Sequence, residues 1–127
     1  MTCIAALQSP QSETAQQCRH TSNSGASAAL INNGSVVLWG NPNSTGNPSQ
    51  EVLDLISSDV EKIISNGSNW AVLKTDGSVI TWGSTFNFDQ YVSLIENELL
   101  SGVVDVFSSS ESFAAIKEDG SVVTWGN

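Results

Sequence analysis

Asn33-Gly34-Ser35-Val36-Val37-Leu38-Trp39-Gly40 is written three times in this chain. It returns as Asp76-Gly77-Ser78-Val79-Ile80-Thr81-Trp82-Gly83 and as Asp119-Gly120-Ser121-Val122-Val123-Thr124-Trp125-Gly126. The turn glycines stand at 34, 77 and 120 and the tryptophans at 39, 82 and 125, so both series advance by 43 residues without slippage. Asn-Gly or Asp-Gly between β-rich runs is the strongest short-range hairpin signal, and a primed turn would give both turn residues positive φ. Each copy follows an apolar run: Ala28-Ala29-Leu30-Ile31, Trp70-Ala71-Val72-Leu73 and Phe113-Ala114-Ala115-Ile116. Three hairpins are therefore expected. Valine, isoleucine and threonine supply strand propensity, and the closing glycine lets the chain swerve after the tryptophan.

Outward from the hairpins the chain changes character. Asn41-Pro42-Asn43-Ser44-Thr45-Gly46-Asn47-Pro48-Ser49 is turn chemistry throughout and reads as an exposed loop. Apolar residues at 91, 92, 94, 95, 99 and 100 fit a short helix better than strict alternation, and the earlier copy over 50–58, with 52, 53, 55 and 56, is compatible with one but shorter. Val60 to Ser65 and Val103 to Ser108 then return as strands. One repeat reads as three strands plus a short helix or irregular fourth element. Residues 1–23 carry an echo of the first strand at Cys3 to Gln8 but no Trp-Gly ending, so they read as a degenerate part-repeat. Residues 24–127 hold the three hairpin repeats, and the whole is one domain.

The bulk numbers bound the function classes. The net charge is −9, with Arg19, Lys62, Lys74 and Lys117 the only bases. Such a chain is repelled by nucleic acid and by anionic membrane surfaces. There is no apolar run of roughly 18 residues, so no membrane-spanning helix is expected. Met1 to Leu7 is too short and lacks a basic lead, so it does not read as a secretory signal. Cys3 and Cys18 are either a disulfide, worth ~3 kcal/mol by loop closure, or two thiols in a reducing compartment.

The order Pro48, Val52, Leu55, Val60, Ile63, Gly67, Trp70-Ala71-Val72-Leu73, Asp76-Gly77, Val79, Trp82-Gly83 resembles the RCC1-type repeat (regulator of chromosome condensation 1). The likeness covers residues 24–127. It departs from the family pattern in two ways: no Gly-Gln-Leu-Gly segment follows the Trp-Gly, and the repeat is short. The resemblance implies a mostly-β chain of propeller blades. Propellers close with roughly 4 to 8 blades, so three repeats imply a partial ring or one completed by oligomerisation. The proportion of three units in 127 residues also suits a β-trefoil, the alternative fold.

Chemistry is sparse. His20 is the only histidine, and with Cys3 and Cys18 it gives at most three soft ligands and no Cys-x-x-Cys pair. No Gly-x-Ser-x-Gly elbow, phosphate loop or calcium loop is present. Asp76 and Asp119 share their slot with Asn33, which points to turn geometry over carboxylate chemistry. No enzyme activity, cofactor or metal is expected. The expected role is a non-catalytic module for protein binding or scaffolding, in contact with other subunits or with itself. The alternative is a lectin-like domain in which Trp39, Trp82 and Trp125 form a sugar platform. Candidate contact residues are Phe86, Asn87 and Phe88 in the loop 84–90, Trp70 at an aromatic position, and Asn43, which is also the most exposed glycosylation sequon.

Overall fold

A computed structural model describes residues 19–22, 25–31, 34–66, 69–83, 92 and 95–126. The first sheet joins β1 (Arg19–Ser22), β2 (Ala26–Leu30) and β3 (Val36–Gly40). The second joins β4 (Val60–Asn66), β5 (Asn69–Lys74) and β6 (Val79–Gly83), and the third β7 (Val103–Ser108), β8 (Ser112–Lys117) and β9 (Val122–Gly126). Each is an antiparallel meander with its strands in chain order. Three separate small sheets are the blade units of a propeller, and the β-trefoil alternative is set aside on that topology. The cysteines at 3 and 18 lie outside the described residues.

The register repeats with the sequence. Trp39 pairs with Ser27, Trp82 with Trp70, and Trp125 with Phe113. The hairpins form as expected, but their turns differ from the primed type. Gly77 N donates to Lys74 O at 3.0 Å while Lys74 N donates to Ser78 O at 2.9 Å. Gly77 has φ of 85°, and Asp76 is not among the positive-φ residues. The loop is a type I turn closed by a left-handed glycine, the three-residue hairpin with a glycine bulge. The turns at Gly34 and Gly120 make the same pair of bonds. One extra residue in the loop satisfies the strand twist, so only the glycine must go left-handed.

Between the first two sheets, Ser49 caps the helix α1 (Gln50–Leu55) by accepting from Val52 N. In the second linker the described residues include a helical residue at Val92 and a 3₁₀ turn, Glu96–Leu99, while the rest of the expected helix over 91–94 lies outside the described residues. The first sheet also takes in more than expected. β1 lies before the boundary drawn at residue 23, and it occupies the place that β4 and β7 hold in the later sheets.

Packing runs from sheet to sheet. Ala28, Leu30, Val60, Ile63, Trp70, Val72 and Trp82 form one core cluster, between the first sheet and the second. Ala71, Leu73, Val103, Val106, Phe113, Ala115 and Trp125 form the other, between the second and the third. Each residue of the second set stands 43 positions after its counterpart in the first. Alternation in β5 sends Trp70 and Val72 to one cluster and Ala71 and Leu73 to the other, so both faces of that strand are buried.

The turns also tie sheets together. Gly34 O accepts from Val60 N at 2.8 Å and Gly77 O from Val103 N at 2.9 Å. A Cβ on Gly77 would lie 3.0 Å from Gly102 N, whereas nothing lies within 4 Å of one on Gly120. Both glycines are left-handed, a cost of about 1–2 kcal/mol to any other residue. Gly77→Ala is therefore expected to lower the urea midpoint clearly more than Gly120→Ala, which carries the backbone strain alone. Equal losses in paired denaturation curves would mean that the turn does not brace the next sheet.

Candidate interaction surface

The repeat spends its aromatic residues internally. Trp70 is fully buried, with 0% exposure, and its ring stacks on Trp82 at 6.3 Å between centroids and 7° between planes. Phe113 and Trp125 stack in the same register place, 5.4 Å apart. The Trp70 indole donates to Ser44 O and the Trp82 indole to Thr45 O, each at 2.9 Å. Trp125 instead donates to Thr81 Oγ1 at 3.1 Å. The expectation that Trp70 meets a partner is thus corrected. An aromatic facing inward on a central strand fills the gap between sheets, and its polar edge anchors the loop 41–49. Trp82 and Trp125 are likewise core, while Trp39 is half-buried. Asn43 is exposed on the anchored loop, where its backbone N–H donates to Asn41 Oδ1.

Three of the four bases are structural as well. Lys74 Nζ donates to Leu55 O and, at 2.7 Å, to Ser58 O. Lys117 repeats this at the end of the 3₁₀ turn, donating to Glu98 O at 2.5 Å and Ser101 O at 2.6 Å. Carbonyls at the end of a helical turn have no partner within it, and a lysine there satisfies them and their partial negative charge. Lys62 reaches from the second sheet to the third. It bonds Asp105 Oδ1 at 2.7 Å and Val106 O at 2.8 Å, and it lies 4.9 Å from the Phe107 ring centre. This bond holds the Asp105 carboxyl below the ordinary aspartate value. The pair is over a third exposed, so its contribution is that of a surface ion pair, ~0.5 kcal/mol.

Among the described residues, one surface open to a partner is the linker side of the stack. An open groove of about 570 Å³ has β6 as its floor, with α1 on one wall and the 3₁₀ turn on the other. Leu55 (42% exposed) and Leu100 (68%) stand on its rims beside Glu51 and Glu96. The groove was not foreseen, because it forms only when two linkers 43 residues apart come side by side. Their shared apolar spacing was the available signal. Phe86, Asn87 and Phe88, the other candidate contacts, lie outside the described residues. Among the described residues no cluster of His, Cys, Asp and Glu could hold a metal, and no helix is long and apolar enough to cross a membrane.

Three stacked meanders joined by short helical linkers define a propeller-type repeat protein. Solved structures place it more closely. Human WBSCR16 superposes with a TM-score of 0.56 at 19% identity, over 85% of this chain and 33% of its own. Prp20p from Saccharomyces cerevisiae, described with its binding to Gsp1p and histones, gives 0.57 at 18%, over 85% and 30%. The same yeast RCC1 (Prp20), bound to Kap60, gives 0.57 at 19%. The ectodomain of the Physcomitrella patens receptor kinase CR4 gives 0.54 at 19%, over 84% and 28%. The chain has the RCC1-type repeat fold and spans about a third of the length of these proteins. No family model matches it, and no curated protein matches it in sequence.

The turn carboxylates give a pH test. Ser78 Oγ donates to Asp76 Oδ1 at 2.6 Å and Ser78 N at 2.9 Å, and Ser121 does the same for Asp119. These bonds, the hydroxyl's first, hold both carboxyls below the ordinary aspartate value. A depressed folded-state value adds stability above the unfolded-state value, and the gain is lost as pH falls through the depressed one. Asp76→Asn with Asp119→Asn gives both turns the residue type that the sequence carries at 33, a type suited to such turns. The double variant should lose less stability than the parent between pH 7 and pH 3, as read from urea midpoints. Parallel losses would remove the turns from the acid response.

Proposed function

We propose that the chain is a non-catalytic module for protein binding, working as one subunit of a larger assembly. The observation that carries this reading is the division of labour in the repeat. Tryptophans 70, 82 and 125 and lysines 62, 74 and 117 are all used between sheets or on linkers. Among the described residues, open chemistry gathers at the linker groove, a cleft rimmed by Leu55 and Leu100 with two carboxylates. Broad clefts of that kind, lacking convergent catalytic groups, suit a segment of another protein better than a small reactant. Prp20p, of similar fold, is described with protein ligands, Gsp1p and histones, which supports a binding role. The lectin-like alternative loses its platform, since Trp82 and Trp125 are buried.

The assembly reading has a direct test. The chain is purified with its stoichiometric companions under native conditions, and the complex is rebuilt from isolated components. A defined protein should bind one-to-one, and Leu55→Asp with Leu100→Asp should weaken it at least tenfold without altering the circular dichroism. Phe86→Ala with Phe88→Ala tests the second expected contact in the same assay. A chain that stays monomeric by light scattering and finds no stoichiometric protein would contradict the proposal, as would strong glycan binding with tryptophan quenching.

A further inference from the structure

Among the described residues, β6 pairs with β5 on one side and with no strand on the other. The register fixes which of its backbone groups face outward. Lys74 N donates to Ser78 O at 2.9 Å, and in an antiparallel pair bonded and non-bonded positions alternate. Ile80 and Trp82, opposite Val72 and Trp70, therefore bond to β5, while the N–H and C=O groups of Val79 and Thr81 point away from it. In the first sheet the linker covers part of the same edge, because Val36 N donates to Ile56 O at 3.0 Å. A step of 43 residues makes Val79 and Leu99 the counterparts, and no such bond joins them. The edge of β6 is left bare where that of β3 is closed.

The linker groove opens on that edge. Val79, Ile80 and Thr81 all line it. Successive strand residues point to opposite faces, and Val79 and Ile80 do so here, each packing with a different core cluster. A cleft that touches both, and Thr81 as well, must lie along the strand's edge. Leu55 of α1 and Leu100 beyond the 3₁₀ turn give it an apolar residue on each wall, and its lining holds Glu51 and Glu96 but no base. Nor does β6 carry the proline or lysine that blunts many edge strands. A helix satisfies its own backbone groups, whereas an extended segment needs the donors and acceptors that Val79 and Thr81 offer. A second copy of this chain would bring Glu51 and Glu96 against the same two carboxylates, which disfavours self-pairing. We propose that the groove binds a short extended segment of a partner protein by strand addition to β6. That segment is apolar at its centre and carries Lys or Arg placed to meet Glu51 and Glu96. The inference rests on the protein-binding role above and specifies how the groove would take its partner.

The test selects displayed random peptides on the immobilised full chain and synthesises the enriched sequence as the probe. Enriched peptides should share an apolar centre flanked by Lys or Arg. In residue-resolved hydrogen exchange the bound probe should slow the amides of Val79 and Thr81 by about tenfold or more, and change Ile80 and Trp82, already bonded to β5, far less. Methylating alternate backbone nitrogens of the probe gives two frames. One blocks the bonds to β6 and should weaken binding by about tenfold, while the other faces solvent and should have little effect. Glu51→Gln with Glu96→Gln should weaken the probe by roughly three- to tenfold. The proposal is overturned if no peptide is enriched, if Val79 and Thr81 gain no protection, or if both methylated frames lose affinity equally, as a helical probe would. Protection of Val79 and Thr81 that rises with chain concentration in the absence of probe would also overturn it, since the occupant would then be a second copy. A chain that fails here yet holds a natural partner sensitive to Leu55→Asp with Leu100→Asp would keep the binding role and lose only strand addition.

Discussion

Each sheet in this protein is buried by its neighbour, and the contact that does it is an aromatic ring lying between two small β-meanders. A three-stranded sheet of strands four to seven residues long has two faces and very little interior. It gains stability only when apolar side chains on those faces leave water, at ~25 cal/mol per Å². Trp70 and Phe113 are the largest fully buried side chains in the described residues. Each projects from a central strand toward the preceding sheet and stacks on the tryptophan paired with it across the hairpin. Removing such a ring costs about 3–5 kcal/mol, a large share of the total for a domain of this size.

Other features of the repeat serve that contact. The small residues opposite, Ala28 and Ala71, leave room for the ring, and the cross-strand tryptophan fixes its plane. The left-handed glycines at the first two hairpin tips, Gly34 and Gly77, bring their carbonyls to the next sheet's first N–H. Lys74 and Lys117 hold the linker to the sheet behind it through helix-end carbonyls. This is the logic of a quasi-one-dimensional repeat, in which stability is a sum of unit and nearest-neighbour terms. It explains why Ala28 and Ala71, and Val60 and Val103, recur at 43-residue spacing where the sheets touch.

Much of this was legible in the sequence, and the limits have physical causes. Turn chemistry and β-branched runs are local, so the hairpins and the strands at 60–65 and 103–108 could be read directly. β1 was hidden because Arg-His-Thr-Ser has no apolar alternation. Only the register of Ser22, Ser65 and Ser108 betrays it. The turn type was misjudged because Asp-Gly serves both primed turns and glycine-bulge loops, and the flanking bonds decide between them. Trp70 read as a contact residue because an aromatic at a variable position signals either a partner or a core. Its burial depends on the sheet before it, which no local pattern describes. The linker groove depends on two segments far apart in sequence, and it was invisible for that reason.

The most direct measurement is native-state hydrogen exchange, resolved by residue, on β5 and β8. Both are central strands paired on both edges, and their burial differs in one respect: β5 is covered on both faces and β8 on one. If stacking between sheets supplies the stability, amides of Asn69–Lys74 should exchange only through global unfolding, and those of Ser112–Lys117 through smaller openings at measurably higher rates. Equal protection of the two strands would contradict this. It would show that each sheet is held by its own hydrogen bonds and that the rings between them add little.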